Sequence, residues 1–211
     1  MGEPDRPTIV VSGEATVRRV PDLAVVSLSV SVRDRKTGPA RDEANGRASA
    51  ILARLREIGV PEADVQAPAL TVQPTYEYGR GAPKLSGYQA SRPMTIRVRD
   101  IDLLGTILDG LVDDGATQVH GTSMELADPE AASREALAAA VGVARSRAEA
   151  LATAAGLKLG APRRIEEEVD GAQAPYRGVA MFSAAAESAP TEIAAGEIEI
   201  SARVRAWYDL S

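Results

Sequence analysis

The sequence predicts an α+β protein of mostly antiparallel sheets with three helices, and three observations carry that prediction. Several segments alternate apolar and polar residues with a strict period of two. Three others switch to the three- and four-residue steps of an amphipathic helix. Strand-like and helix-like segments come in runs, without the regular βαβ alternation that a parallel sheet requires. About seven or eight strands are expected in all.

Two strands open the chain. Residues 8–20 (TIVVSGEATVRRV) lead through the turn signal Pro21-Asp22 into residues 23–34, LAVVSLSVSVRD. In the second, Val26, Leu28, Val30 and Val32 share a face opposite Ser27, Ser29 and Ser31, as in a sheet buried on one side. The period then changes: Ala44, Ala48, Ile51, Leu55 and Ile58 mark a helix over 38–58, with Gly59 placed to cap its C-terminus. An extended stretch, DVQAPALTVQPTYEY, and a hairpin through GRGAPKLSG follow. They lead into SGYQASRPMTIRVRD, where Met94, Ile96 and Val98 point inward and Thr95, Arg97 and Arg99 outward. Gly87 is expected to ease the entry into this strand, with Tyr88 packing at its end.

A second helix fits 102–114, with Leu104, Ile107, Leu108 and Leu111 inward and Gly115 ending it. TQVHGTSMEL is the next strand. The strongest helix signal is Asp128-Pro129, a capping aspartate before proline at the first helical position. This helix is expected to run to about Ala155, burying the stripe Leu137, Val141, Ala144, Ala148, Leu151 and Ala155 on the protein's own sheet. After a short strand near 164–169, residues 170–196 are rich in Ala, Gly, Ser and Pro and form a long loop, with a short strand around RGVAMFS. The last strand places Ile198, Ile200, Ala202, Val204 and Ala206 inside, and Glu199, Ser201, Arg203 and Arg205 outside.

Composition narrows the function classes. The 211 residues suffice for a chain that buries roughly 70% of its unfolded surface. The absence of cysteine excludes disulfides, zinc ribbons, iron–sulfur clusters and thiol catalysis. A net charge of −6 disfavours nucleic acid and anionic lipid as partners. The longest apolar run, 136–144, is too short for a membrane span, and the start MGEPDRPTIVV has no secretory pattern. Arg6 stands where a myristoylation signal needs Ser or Thr. As written, the chain is expected to be soluble and cytoplasmic, or periplasmic or secreted if an export signal was removed.

Chemistry-bearing motifs are sparse. His120, the single histidine, has only Glu125 as a nearby carboxylate, and a five-residue step puts the two on opposite strand faces. No metal site is expected from it. The chain lacks a G-x-S-x-G elbow, and the glycines of GRGAPK have no helix behind them to cradle phosphate. Glu166-Glu167-Glu168 reads as a solvated strand edge. Arg97, Arg99, Arg203 and Arg205 are expected to pair across strands with Glu197 and Glu199, or to serve an interface or an anionic partner. No catalytic residue and no cofactor is expected.

The chain resembles the SIMPL-domain family over about residues 8–210. The resemblance rests on IVVSGEATVRRVPDLAVVSLSV with its Ser12-Gly13-Glu14 turn, on GVPEADVQAPALTVQPTYEY and on LSGYQASRPMTIRVRDIDLLGTILDGLVDDGA. The alanine-rich helix ending ALATAAGLKLGAP and the closing GEIEISARVRAWYDL complete it. It implies a bacterial, often periplasmic or envelope-associated protein, with a two-lobed fold whose middle part is a ferredoxin-like α/β plait. Large oligomers and links to oxidative-stress tolerance are also implied, without an established enzymatic activity. Two departures stand out: Ala15 replaces a second glycine common among relatives, and their export signal is missing.

The expectation is therefore one SIMPL-type domain over 7–211, with lobes of about 7–75 plus 190–211 and about 76–170, and a flexible loop over about 170–196. It acts without catalysis, through self-association or a protein partner. The alternative is a small-molecule module whose inter-lobe cleft is lined by Tyr76, Tyr78 and Tyr88. A homo-oligomer is expected from the two-signed strand faces and from the apolar cluster Val179, Met181 and Phe182.

Overall fold

A computed structural model describes residues 7–79, 82–113, 115–168, 181–182, 193–194 and 196–211. The strands are β1 (Thr8–Arg19), β2 (Leu23–Asp34), β3 (Val65–Gln66), β4 (Thr71–Glu77), β5 (Lys84–Val98), β6 (Gln118–Glu125), β7 (Leu159–Glu167), β8 (Met181–Phe182), β9 (Ile193–Ala194) and β10 (Ile198–Leu210). The helices are α1 (Thr37–Glu57), α2 (Leu104–Asp113) and α3 (Pro129–Ala154). Every strand pairing is antiparallel, so the expected α+β class holds. The chain divides into two compact units.

The first unit holds β1, α3, β7 and β10. Its sheet has the order β1-β10-β7, so the first and last strands of the chain pair along their whole length, from Thr8↔Asp209 to Arg19↔Ile198. One face packs on α3. The helix begins where its sequence signal places it: the Asp128 carboxylate accepts from the Ala131 backbone N–H, and Pro129 follows the cap. Its buried residues are Ala132, Ala136, Ala140, Ala144, Ala148 and Ala152, an unbroken row at four-residue steps. This corrects the expected stripe. Leu137 and Val141 only flank the row, Leu151 is 52% exposed, and Ala155 is exposed. Large side chains would lift the helix off the sheet; a ridge of methyl groups lets the two backbones approach.

The approach is closest at Gly13, in the middle of β1. A Cβ there would lie 2.1 Å from the Ala140 carbonyl oxygen and 2.6 Å from the Ala144 amide nitrogen. Both are backbone atoms that no rotamer change can move. Glycine is needed here for space. Beside this contact Arg147 Nη1 donates to the Ser12 carbonyl, 2.7 Å away, tying the helix to the edge strand.

The second unit holds β2 to β6 with α1 and α2. Its strand order is β3-β5-β2-β6, with β4 pairing on β5 beyond β3. With β3 and β4, which pair with the same strand β5, counted as one interrupted strand, the order strand–helix–strand–strand–helix–strand on that sheet is the ferredoxin-like plait. The helices cover one face. Val26, Leu28 and Val30 of β2 pack with Met94 and Ile96 of β5 against Ile51 and Leu55 of α1 and Leu104 and Ile107 of α2. Gly59, at φ +86°, follows α1 as expected of a left-handed cap.

The division falls elsewhere than expected. β2 and α1 belong with the middle strands and not with β10, so the plait runs from β2 to β6. The Pro21-Asp22 turn breaks β1 from β2 without pairing them: β1 pairs β10, and β2 pairs β5 and β6. A turn signal marks where a strand stops and carries no information about its partner. In the expected loop, β8 pairs with β9, while Val179 and the side chains of Met181 and Phe182 lie outside the described residues.

Two glycine substitutions should separate packing from propensity. Gly13→Ala is expected to lower unfolding stability by about 3 kcal/mol through overpacking against backbone. Gly142→Ala, on α3 with no atom within 4 Å of the added Cβ, should raise it by about 0.8 kcal/mol through helix propensity. Urea midpoints of the two variants against wild type check both signs.

Candidate functional site

Among the described residues, two concavities of the plait stand out. The larger, of about 500 Å³, opens where the β4–β5 hairpin runs past the end of β2. It is lined by Arg33, Asp34, Arg35, Thr75, Tyr76, Ser86 and Gly87. The local sequence accounts for the shape. β2 ends at Asp34 while β5 continues back to Lys84, and α1 starts only at Thr37, leaving Arg35 in the connection. Gly87 is buried where the strands meet, and a Cβ on it would fall 2.6 Å from the Asp34 carbonyl oxygen. Its lack of a side chain lets the end of β2 abut β5, a tighter role than easing a bend.

Hydrogen bonds hold the wall. Ser86 Oγ donates to Thr75, whose carbonyl oxygen is 3.0 Å away. Arg33 Nε donates to Gln89 Oε1 at 2.9 Å, orienting the guanidinium. Asp34 Oδ1 accepts from the Lys36 backbone N–H at 2.7 Å, so this carboxylate is partly engaged. Tyr76 is 48% exposed. Two arginines, one aspartate, two hydroxyls and an open aromatic face make a surface suited to holding a ligand.

The smaller concavity, about 250 Å³, lies between the end of α1, the end of β5 and α2. Val60, Val98, Leu103 and Ile107 form an apolar floor under Arg97, Arg99 and Asp100. Arg99 is committed: its Nε and Nη2 donate to Asp64 Oδ2 and Oδ1 at 2.7 and 2.8 Å. Asp64 is 4% exposed in the short 3-10 turn Glu62–Asp64. The Arg99 hydrogen bonds hold its carboxyl below the ordinary carboxylate range; burial opposes them, and the charges of Arg99 and Arg97 add to the lowering. Asp64 and Asp100 balance the two arginines, so this rim offers an anion little net attraction.

The remaining expected site residues scatter. Tyr88 is half-buried in register with Pro74 and Asp34, outside the lining, and Tyr78 is 80% exposed beyond the end of β4. Of the three tyrosines, Tyr76 lines the larger concavity, and it does so within the plait. Arg203 and Arg205 belong to the other unit, on the sheet face opposite α3. There Arg203 meets Glu14 at 3.0 Å and Arg205 meets Glu168 at 3.9 Å, while Arg18 takes Glu199 at 2.8 Å. Cross-strand pairing is therefore real, but β1 and Glu168 supply the partners expected from Glu197 and Glu199. Trp207 lies on the same face, with the guanidinium carbons of Arg164 and Arg205 at 5.1 and 5.9 Å from its ring centroid.

His120 sits at an irregularity in the β2–β6 pairing, where Ser27↔Gly121 is followed by Leu28↔Val119, and its Nε2 lies 3.0 Å from Ser29 Oγ. Among the described residues no group of three or more His, Cys, Asp or Glu side chains could hold a metal, and no helix is long and apolar enough to cross a membrane. Sequence reasoning missed Arg33, Asp34, Arg35, Thr75 and Ser86. The one local signal was the charged run 33–36 between a strand and a helix.

Comparison with known proteins matches residues 9–208 to the SIMPL family model, described as a protein of unknown function (DUF541). The chain is 32% identical over 170 residues to the uncharacterized protein YggE of Escherichia coli K12, covering 81% of this chain and 69% of that one. It is 30% identical over 192 residues to YggE of Edwardsiella ictaluri, covering 90% and 80%. It is 31% identical over 214 residues to the 26 kDa periplasmic immunogenic protein of Brucella melitensis, covering 96% and 84%.

The Asp64–Arg99 pair predicts a pH signature. A carboxyl whose folded pKa lies below its unfolded value stabilises the fold above about pH 4. That contribution falls away as the pH drops through the lowered folded value. Asp64→Asn should therefore be less stable than wild type at neutral pH, with the gap closing in acid. Urea midpoints of both proteins from about pH 7 down to about pH 2.5 check it; a gap independent of pH would mean the loss comes from packing.

Proposed function

The chain belongs to the SIMPL family, and from that premise we propose that it is a non-enzymatic binding protein whose recognition surface is the larger concavity of the plait. One observation carries this reading. The lining gathers groups that hold a ligand, namely two guanidiniums, two hydroxyls and a half-exposed tyrosine ring. The single histidine stands elsewhere, in β6 against Ser29. The periplasmic name of the Brucella relative supports that compartment for this chain as well.

Self-association is a second reading, favoured by the edges of the sheets. The β4 edge carries Pro74, the β7 edge carries Pro162 and a run of charges, and Arg147 occupies the Ser12 carbonyl of β1. The β6 edge has the irregularity at His120 but neither proline nor lysine, and Val119 on it is 38% exposed. A second copy pairing there would extend the sheet through a two-fold axis.

The binding reading predicts that some member of a metabolite panel raises the melting temperature by a few degrees at saturation, as a ligand at a hundred times its Kd adds about 2.7 kcal/mol. Tyr76→Ala should abolish the shift. For the second reading, sedimentation should show mass rising with concentration, and Val119→Lys should return the protein to a monomer. A monomer at every concentration removes that reading.

A further inference from the structure

We propose that the larger concavity takes a small molecule joining a planar ring to an anionic group, the ring against Tyr76 and the anion between Arg33 and Arg35. This inference rests on the binding reading above and specifies its ligand.

Charge decides the anionic end. Arg33 and Arg35 face a single carboxylate in the lining, and Asp34 already accepts the Lys36 amide with one oxygen. Arg33 uses Nε on Gln89, and among the described residues no hydrogen bond or ion pair is made by its terminal nitrogens or by the Arg35 guanidinium. Arginine forks suit carboxylate and phosphate alike. The backbone adds to the same sign. Arg35 lies two residues before α1, whose first turn carries no acidic residue; the one carboxylate at that N-terminus is Asp34, on the Lys36 N–H, so the helix end adds positive partial charge that a single anion offsets. The smaller concavity has no such excess, because Asp64 and Asp100 match Arg97 and Arg99.

Tyr76 decides the other end. It is the one aromatic residue in the lining and is 48% exposed, offering a ring face for stacking at a site where Ser86 and Thr75 bond each other and form the neighbouring wall. A volume of about 500 Å³ lies within the usual range for small-molecule sites. Gly87 keeps the span short: with no Cβ, the end of β2 stays against β5.

Titration calorimetry of the full chain with four probes tests this: phenyl phosphate, phenylacetate, phenol and inorganic phosphate. At least one ring-bearing anion is expected to bind about tenfold or more tightly than either phenol or phosphate. Its affinity should fall as salt rises. Arg35→Ala and Tyr76→Ala should each weaken it by about tenfold, whereas Arg56→Ala, at the far end of α1, should leave it unchanged. Circular dichroism confirms that the variants fold. If phenol binds as well as the anions, and Arg35→Ala has no effect while Tyr76→Ala still does, the ligand class is wrong and the binding reading survives. If none of the four probes binds, this ligand class is overturned, and the binding reading falls with it only if the metabolite panel also leaves the melting temperature unchanged.

Discussion

The first unit depends on one contact, the approach of the α3 backbone to β1 at Gly13. A three-stranded sheet cannot bury its inner face alone; it needs a cover. The cover is a single helix, and the six alanines of its four-step row set how near it comes. Small side chains bring little apolar area each, so stability comes from density: close-packed backbone and methyl groups with no room for even one added carbon at Gly13. The same contact holds the two ends of the chain, because β1 and β10 pair along their length beneath the helix. Unit and chain closure share one packing decision.

In the plait the logic is more ordinary. Branched side chains of β2 and β5 fill the space under α1 and α2, and glycine again appears where two backbones meet, at Gly87 beside Asp34. This second close approach shapes the candidate site. It holds the end of β2 against β5 at the spot where the hairpin overhangs, so a concavity forms with charged residues from one strand and an aromatic wall from another. Surface ion pairs elsewhere, such as those of Arg18, Arg203 and Arg205, contribute a few tenths of a kcal/mol each and shape the solvated face of the other sheet.

Local patterns made most elements legible. Period-two alternation marks the buried faces of β2, β5 and β10, and the Asp128-Pro129 pair marks the start of α3. What depended on partners was hidden. The alternation of β1 gives no hint that it pairs with a strand nearly the whole chain away, so the division into units fell in the wrong place. The inward stripe of α3 was misjudged because large apolar residues are the usual core; a helix seated on its alanines leaves Leu151 in solvent. The candidate site was only partly visible. Tyr76 and the Gly-Tyr segment stood out as residue types, but Arg33 and Arg35 join them only through the register of β2 with β5 and of β5 with β4. The Asp64–Arg99 pair was masked in the same way, since residues 35 positions apart meet through a 3-10 turn.

Native-state hydrogen exchange tests the central claim most directly. If the contact at Gly13 makes β1, α3 and β10 one cooperative body, the slowest amides of all three should open with the same free energy and the same denaturant dependence. Slowest-exchanging α3 amides that open well below those of β1 and β10 would show a helix that merely lies on a sheet stable without it, and would contradict the account.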